Sequence, residues 1–109
     1  MIDYLQHPTH LQLSLPQYRQ SLSKTLIDCY SSRCHGNWST YPHDDDYFYR
    51  NVVDHALCAK DDVVLEEIMS DFNWMGINLR VCKLGNYLYQ NIIDYMGYLK
   101  HRNQVMNEI

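Results

Sequence analysis

Residues Trp38 to Trp74 read WSTYPHDDDYFYRNVVDHALCAKDDVVLEEIMSDFNW, and their reading decides the fold. Two tryptophans bracket an acidic run, Asp44-Asp45-Asp46, and an aromatic run, Tyr47-Phe48-Tyr49. So much aromatic surface is too costly to leave in a loop, and the spacing predicts a packed helical hairpin. Tyr41 precedes Pro42 and is pushed out of the helical region, so a helix starts after it. The three carboxylates suit that start, where they cap free N–H groups and oppose the positive end of the helix dipole; Asp44 is the expected N-cap. Phe48, Val52, His55, Ala56 and Ala59 form the predicted buried stripe, with His55 donating a hydrogen bond within the core, and Lys60 sits at the C-terminal end. Asp61 or Asp62 restarts a helix after a short turn, with Asp62 the expected N-cap, so the second helix should return antiparallel to the first. Val64, Leu65, Ile68 and Met69 form its apolar face, and Asp71-Phe72-Asn73-Trp74 breaks or bends it. The expected core motif is Trp38, Pro42, Tyr47, Phe48, His55, Leu65, Phe72 and Trp74.

Upstream, Ser14-Leu15-Pro16-Gln17 is a helix start, with Ser14 as N-cap, Gln17 in the capping-box position and Pro16 in the first turn. Leu15, Tyr18, Leu22, Leu26, Cys29 and Tyr30 share a face of a helix reaching about Arg33, and Gly36 is a plausible stop before a loop over 34–43. Residues 1–13, short, polar and broken by Pro8, read as the tail of a preceding module or a linker. Downstream, Trp74, Ile77, Val81 and Cys82 predict a short helix ending at Leu84-Gly85. Leu88, Ile92, Tyr95, Met96 and Leu99 then predict a last helix of about four turns, and 101–109 read as a polar tail or the start of another module. No segment alternates with period two between hairpin signals. The expected class is therefore all-α: short antiparallel helical hairpins stacked as a small bundle or solenoid-like array over 14–100.

A chain of 109 residues suits one small domain, and its hydrophobic fraction of 46% is globular rather than disordered. Net charge is −4, and the nine basic residues are scattered, which argues against a nucleic-acid partner. No apolar run approaches the roughly 18 residues of a membrane span, and residues 1–10 lack the features of a signal peptide, so a cytoplasmic location is expected. In such a compartment Cys29, Cys34, Cys58 and Cys82 read as free thiols.

Three constellations could carry chemistry. Cys29, Cys34 and His35, with His43 and Cys58 as completions, match zinc ligands in type, but a second close pair is missing. His43-Asp44 and Asp54-His55 are of the type used by metal-dependent hydrolases, although neighbours on a helix point about 100° apart. Gly36, Gly76, Gly85 and Gly97 are isolated, so there is no phosphate-binding loop. The expectation is no catalytic, cofactor-binding or metal-binding residue and no enzyme activity. The third constellation is a binding surface: Tyr4, Tyr49, Tyr87, Tyr89 and Tyr98 are candidate interface residues, because the tyrosines cannot all share one core.

Trp38, Pro42, Asp44, Tyr47-Phe48-Tyr49, Val52, His55, Ala59, Leu65, Ile68-Met69, Asp71-Phe72 and Trp74-Met75 stand in an order and spacing that resembles the helical domain of the apoptotic protease-activating factor family. Residues 1–6, MIDYLQ, look like the end of the winged-helix module that precedes that domain. The likeness is densest from Trp38 to Trp74 and thin after Leu79. Lys60 replaces a turn glycine, Ala56 a leucine, and Gly76 and Asn78 an alanine and a lysine, which predicts a different turn and a shorter helix after Trp74. The resemblance implies a non-catalytic adaptor that holds a WD-repeat sensor against a nucleotide-binding switch and supports a caspase-activating platform. Its partners would be the neighbouring modules of a longer protein, and ATP or dATP would bind in another module of that parent, with no nucleic acid or membrane involved. The alternatives are a helical linker of another repeat-bearing signalling ATPase or, in a different class, a small metal-binding or hydrolase domain using His43, Asp44, Asp54 and His55.

Overall fold

The computed structural model of the chain describes residues 15–83 and 85–107. Ser14, Tyr4 and the rest of 1–14 lie outside the described residues, so the cap and the interface position expected there have no structural account. The described residues form five α-helices and no strand: α1 (Leu15–Cys34), α2 (Asp46–Ala59), α3 (Asp62–Met69), α4 (Phe72–Cys82) and α5 (Gly85–Asn107), with a 3₁₀ turn at Trp38–Thr40. The class is all-α. No helix among the described residues is long and apolar enough to cross a membrane.

One local device starts three consecutive helices. Asp45 accepts a hydrogen bond from the N–H of Phe48 (3.1 Å), Asp61 from that of Val64 (3.2 Å) and Asp71 from that of Trp74 (3.0 Å). Each aspartate caps its own helix and fixes the rotation of a buried residue three positions on, so capping and packing are set together. Two expected caps are corrected. Asp45, not Asp44, caps α2, because the bond from Asp45 N–H to the Pro42 carbonyl (3.3 Å) closes a turn over 42–45 and leaves Asp44 exposed on it. Asp61, not Asp62, caps α3, because its N–H closes the end of α2 on the Ala56 carbonyl (3.0 Å) and its side chain is then in place for Val64.

The helix ends use the left-handed region. His35 (φ 54°) and Gly36 (φ 78°) follow α1, with the Gly36 N–H on the Ser31 carbonyl at 3.1 Å. Lys60 (φ 55°) holds the same conformation between α2 and α3, so this lysine occupies a geometry that glycine adopts more cheaply. Lys83 (φ 61°) closes α4, and Gly85 opens α5 instead of ending the helix before it. The last helix runs through Lys100 to Asn107, longer than the four turns expected and through the stretch read as a tail.

The core is centred on α2, where Phe48, Tyr49, Val52, Val53 and Ala56 are fully buried. α1 lies antiparallel to it: Tyr30 packs on Phe48 near one end (ring centroids 5.1 Å), and Gln20 reaches the Ala59 carbonyl at the other (3.4 Å). The buried face of α1 is Ser23, Ile27, Tyr30 and Cys34, which corrects the expected stripe: Leu22, Leu26 and Cys29 are exposed. Placing Tyr30 against Tyr41 and Phe48 sets the rotation of the helix, and the leucine stripe is left about a quarter-turn away. α5 runs in the same direction as α2, with Arg50 over the Tyr87 ring (5.8 Å) and Asp62, just beyond α2, bonded to Tyr98 (2.5 Å).

Candidate functional site

The densest constellation in the chain is aromatic. The Tyr41 ring stacks on Phe48 (3.8 Å between centroids), Trp38 lies parallel beyond Phe48 (6.3 Å), and Tyr49 joins Phe48 edge-on and Trp74 in a stack (4.8 and 6.2 Å). Polar tips inside this block find partners: the Tyr49 hydroxyl donates to the Tyr41 carbonyl (2.7 Å), Asn78 donates to the Tyr49 carbonyl (2.6 Å), and the Trp38 indole N–H donates to Glu67 (3.1 Å). Burial pushes the Tyr30 and Tyr49 hydroxyls up to about 12, so both stay protonated at neutral pH. Among the described residues, the Trp74 indole nitrogen and the Asn78 side-chain oxygen are buried without a hydrogen-bond partner. A block of protonated, interlocked rings provides rigidity and no nucleophile.

The expected core motif divides. Trp38, Phe48, Leu65 and Trp74 are buried as expected. Pro42 and Tyr47 are exposed, and Phe72 is 82% exposed. Tyr47 is displaced by its neighbours: consecutive helix positions differ by about 100°, and with Phe48 and Tyr49 turned inward the ring before them faces out. Phe72 and Trp74 lie about 200° apart on α4, so only one of them faces the core, and the cap at Asp71 selects the tryptophan. His55 is half-buried and pairs with the exposed Tyr47 hydroxyl (3.2 Å) rather than bonding within the core. Burial lowers its pKa, opposed by the neighbouring Asp54.

The candidate metal ligands are dispersed. Cys29 and Cys58 are exposed on different helices, Cys34 is buried with its thiol on the Tyr30 carbonyl (3.4 Å), and His35 is exposed in the turn after α1. Among the described residues no group of three or more His, Cys, Asp or Glu side chains converges. The two His-Asp pairs do not share a site. His43 and Asp44 line an open hollow of about 480 Å³ with Asp46, Arg80, Val81 and Lys83, and His43 bonds the Ser39 carbonyl. Asp54 instead lies near Asp94 of α5, and burial, then that carboxylate, raises its pKa.

The candidate interface tyrosines also divide. Tyr49 is fully buried and is corrected to a core residue. Tyr87 is half-buried under Arg50, and Tyr98 donates to Asp62, which Arg102 also pairs (3.1 Å). Burial and then this carboxylate push Tyr98 up to about 12, while the Tyr98 hydrogen bond and Arg102 lower Asp62. Tyr89 alone of the described four is well exposed, at 67%. It begins an exposed side of α5 with Ile93, Met96 and Lys100, which corrects Met96 from the stripe of Leu88 and Ile92 to the outside, and Leu15, Leu22, Leu26 and Cys29 are exposed on one side of α1. On α1 the more apolar stripe is the one left outside, and on α5 the exposed stripe runs beside the more apolar one that carries Leu88 and Ile92.

No protein-family model matches the chain, and no curated protein and no solved structure matches it either.

Proposed function

We propose that this chain is a non-catalytic helical spacer that holds two neighbouring modules of a longer protein in a fixed relation, as the likeness to the apoptotic protease-activating factor family implies. The observation that carries this reading is the pair of outward apolar faces, on α1 and on α5, borne by a body centred on α2. Contiguous apolar surface on small domains marks contact with other protein surface. The interlocked aromatic block makes the body around α2 stiff, so a displacement imposed on the α1 face is carried by that body. In the parent this would couple a nucleotide-binding switch to a WD-repeat sensor in assembling a caspase-activating platform, with ATP or dATP bound in another module.

Sequencing the complete transcript tests this reading. The expected frame carries a nucleotide-binding and winged-helix region before these residues and WD repeats after them; a frame bounded by Met1 and Ile109 overturns it. Metal analysis of the purified chain separates it from the metal-dependent alternative: helix content should be unchanged by chelation, and stoichiometric metal whose removal unfolds the chain would favour the alternative built on His43, Asp44, Asp54 and His55.

A further inference from the structure

We infer that the hollow between the α2–α3 turn and the last turns of α5 binds a small phosphate monoester carried on a flat apolar group. The inference does not rest on the spacer reading. Lys60, Tyr98, His101, Arg102 and Val105 line this hollow, whose volume is about 240 Å³. Tyr98, His101, Arg102 and Val105 fall at three-and-four spacing and so share one face of α5, across from the turn that carries Lys60. Among the described residues no carboxylate lines the hollow. The hollow of about 480 Å³, by contrast, sets Asp44 and Asp46 among its cations, and those charges offset one another.

The acids next to Lys60 in the chain are committed elsewhere. Asp61 accepts from Lys24 (2.9 Å) and from the Val64 N–H (3.2 Å), and Asp62 accepts from Tyr98 (2.5 Å) and Arg102 (3.1 Å). Lys60 and His101 make no ion pair among the described residues. Arg102 gives Nη1 to Asp62, and its Nε is buried without a hydrogen-bond partner among the described residues. A guanidinium carries five N–H donors, so Arg102 can hold Asp62 and an anion together. Lys60 also lies in the left-handed region (φ 55°), where glycine would cost less, and residues held in such conformations cluster at ligand sites. Two permanent cations and an imidazole, against one carboxylate that is already paired, suit a phosphate dianion. The Tyr98 ring and the exposed Val105 offer an apolar wall to the group that carries it. Asp61 and Asp62 line the next hollow on the other side of Lys60 and would repel a longer acidic chain, which restricts the ligand to a small molecule. An open site of this kind holds a small anion weakly, with a dissociation constant on the order of a millimolar.

Amide chemical shifts of the full chain, titrated with inorganic phosphate and with phenyl phosphate at fixed pH and ionic strength, test the site. Both ions should move the Lys60, His101 and Arg102 signals along saturable curves, with phenyl phosphate bound at least about threefold more tightly, and sodium chloride alone should give no saturation. Lys60→Gly suits the left-handed turn, so it should raise the urea midpoint while weakening phenyl phosphate at least about fivefold. Lys60→Gln should weaken binding to a similar degree without that gain in stability, which separates the lost charge from the relieved turn. Lys100→Gln removes a cation of α5 that lies outside the hollow and should change binding by less than about twofold. A titration that does not saturate overturns the inference. So does binding that is unchanged in Lys60→Gly, an equal loss in Lys100→Gln, or phenyl phosphate held no more tightly than the inorganic ion.

Discussion

α2 and α5 run side by side in the same direction and are built to different rules. α2 has 14 residues and buries Phe48, Tyr49, Val52, Val53, Ala56 and Ala59, with a carboxylate cap at one end and a left-handed turn at the other. α5 has 23 residues, and its buried positions among those described are Leu88 and Asn91. Its other ties are polar and peripheral: Arg50 over Tyr87, and Asp62 to Tyr98 and Arg102. A short helix is marginal in water and needs caps and a buried face to exist at all, whereas a long helix persists with less. Stability should therefore reside in the block around α2, and α5 should open from it at lower cost.

The largest break in this contrast is Trp74→Ala. The side chain is fully buried against Tyr49, and its removal should cost about 3 to 5 kcal/mol in denaturant unfolding. Alanine at the similarly large but exposed Phe72 should stay within about 0.5 kcal/mol, and equal effects would mean that the two rings have been assigned the wrong faces. Next in size is the cap. Asp71→Ala removes the acceptor for the Trp74 N–H and should cost about 1 kcal/mol, against about 0.5 kcal/mol or less for Asp44→Ala, which lies on the turn and caps nothing.

A smaller effect is expected on α5. Tyr98→Phe removes the bond to Asp62, which is partly exposed, so the global cost should be below about 1 kcal/mol. The change should appear instead in hydrogen exchange, as faster exchange in the second half of α5 with α2 unaffected. Uniform acceleration in both helices would show that they open as one unit and would erase the distinction.

Much of the helical content was legible because aspartates, prolines and three–four spacing act locally. What was not legible depends on which of two equivalent candidates meets a partner. Asp44 and Asp45 are chemically the same, and the choice falls to a turn bond onto the Pro42 carbonyl. Leu22 and Leu26 outrank Ser23 in hydrophobicity, yet Ser23 is buried because Tyr30, seven residues on, must enter the ring stack. On α5 the more apolar stripe, which carries Leu88 and Ile92, is the one packed inward, and the stripe with Tyr89 and Lys100 stays outside. The pattern thus reveals that a face exists, while the tertiary neighbours reveal whether it is used. Lys60 shows the converse: its left-handed turn is set by the helix ends around it, against the local preference of a lysine.

The smallest effect concerns the edge where the two helices' surroundings differ, at His55. Burial lowers its pKa below the ordinary 6.5. Above that value the imidazole is neutral in both folded and unfolded chains and contributes no pH dependence. As pH falls through 6.5 the unfolded chain takes up the proton first, so folding loses stability until the folded-state pKa is passed. Asp54 acts with the opposite sign at lower pH: its raised pKa makes the folded chain protonate first, and acidification there restores stability. Urea midpoints should therefore decline slightly between about pH 7.5 and about pH 5.5, and His55→Gln should flatten that decline. If the slope survives the substitution, the proton is taken up elsewhere and His55 is no more confined than a surface histidine, which would place this side of α2 with α5's exposed surroundings rather than with the block.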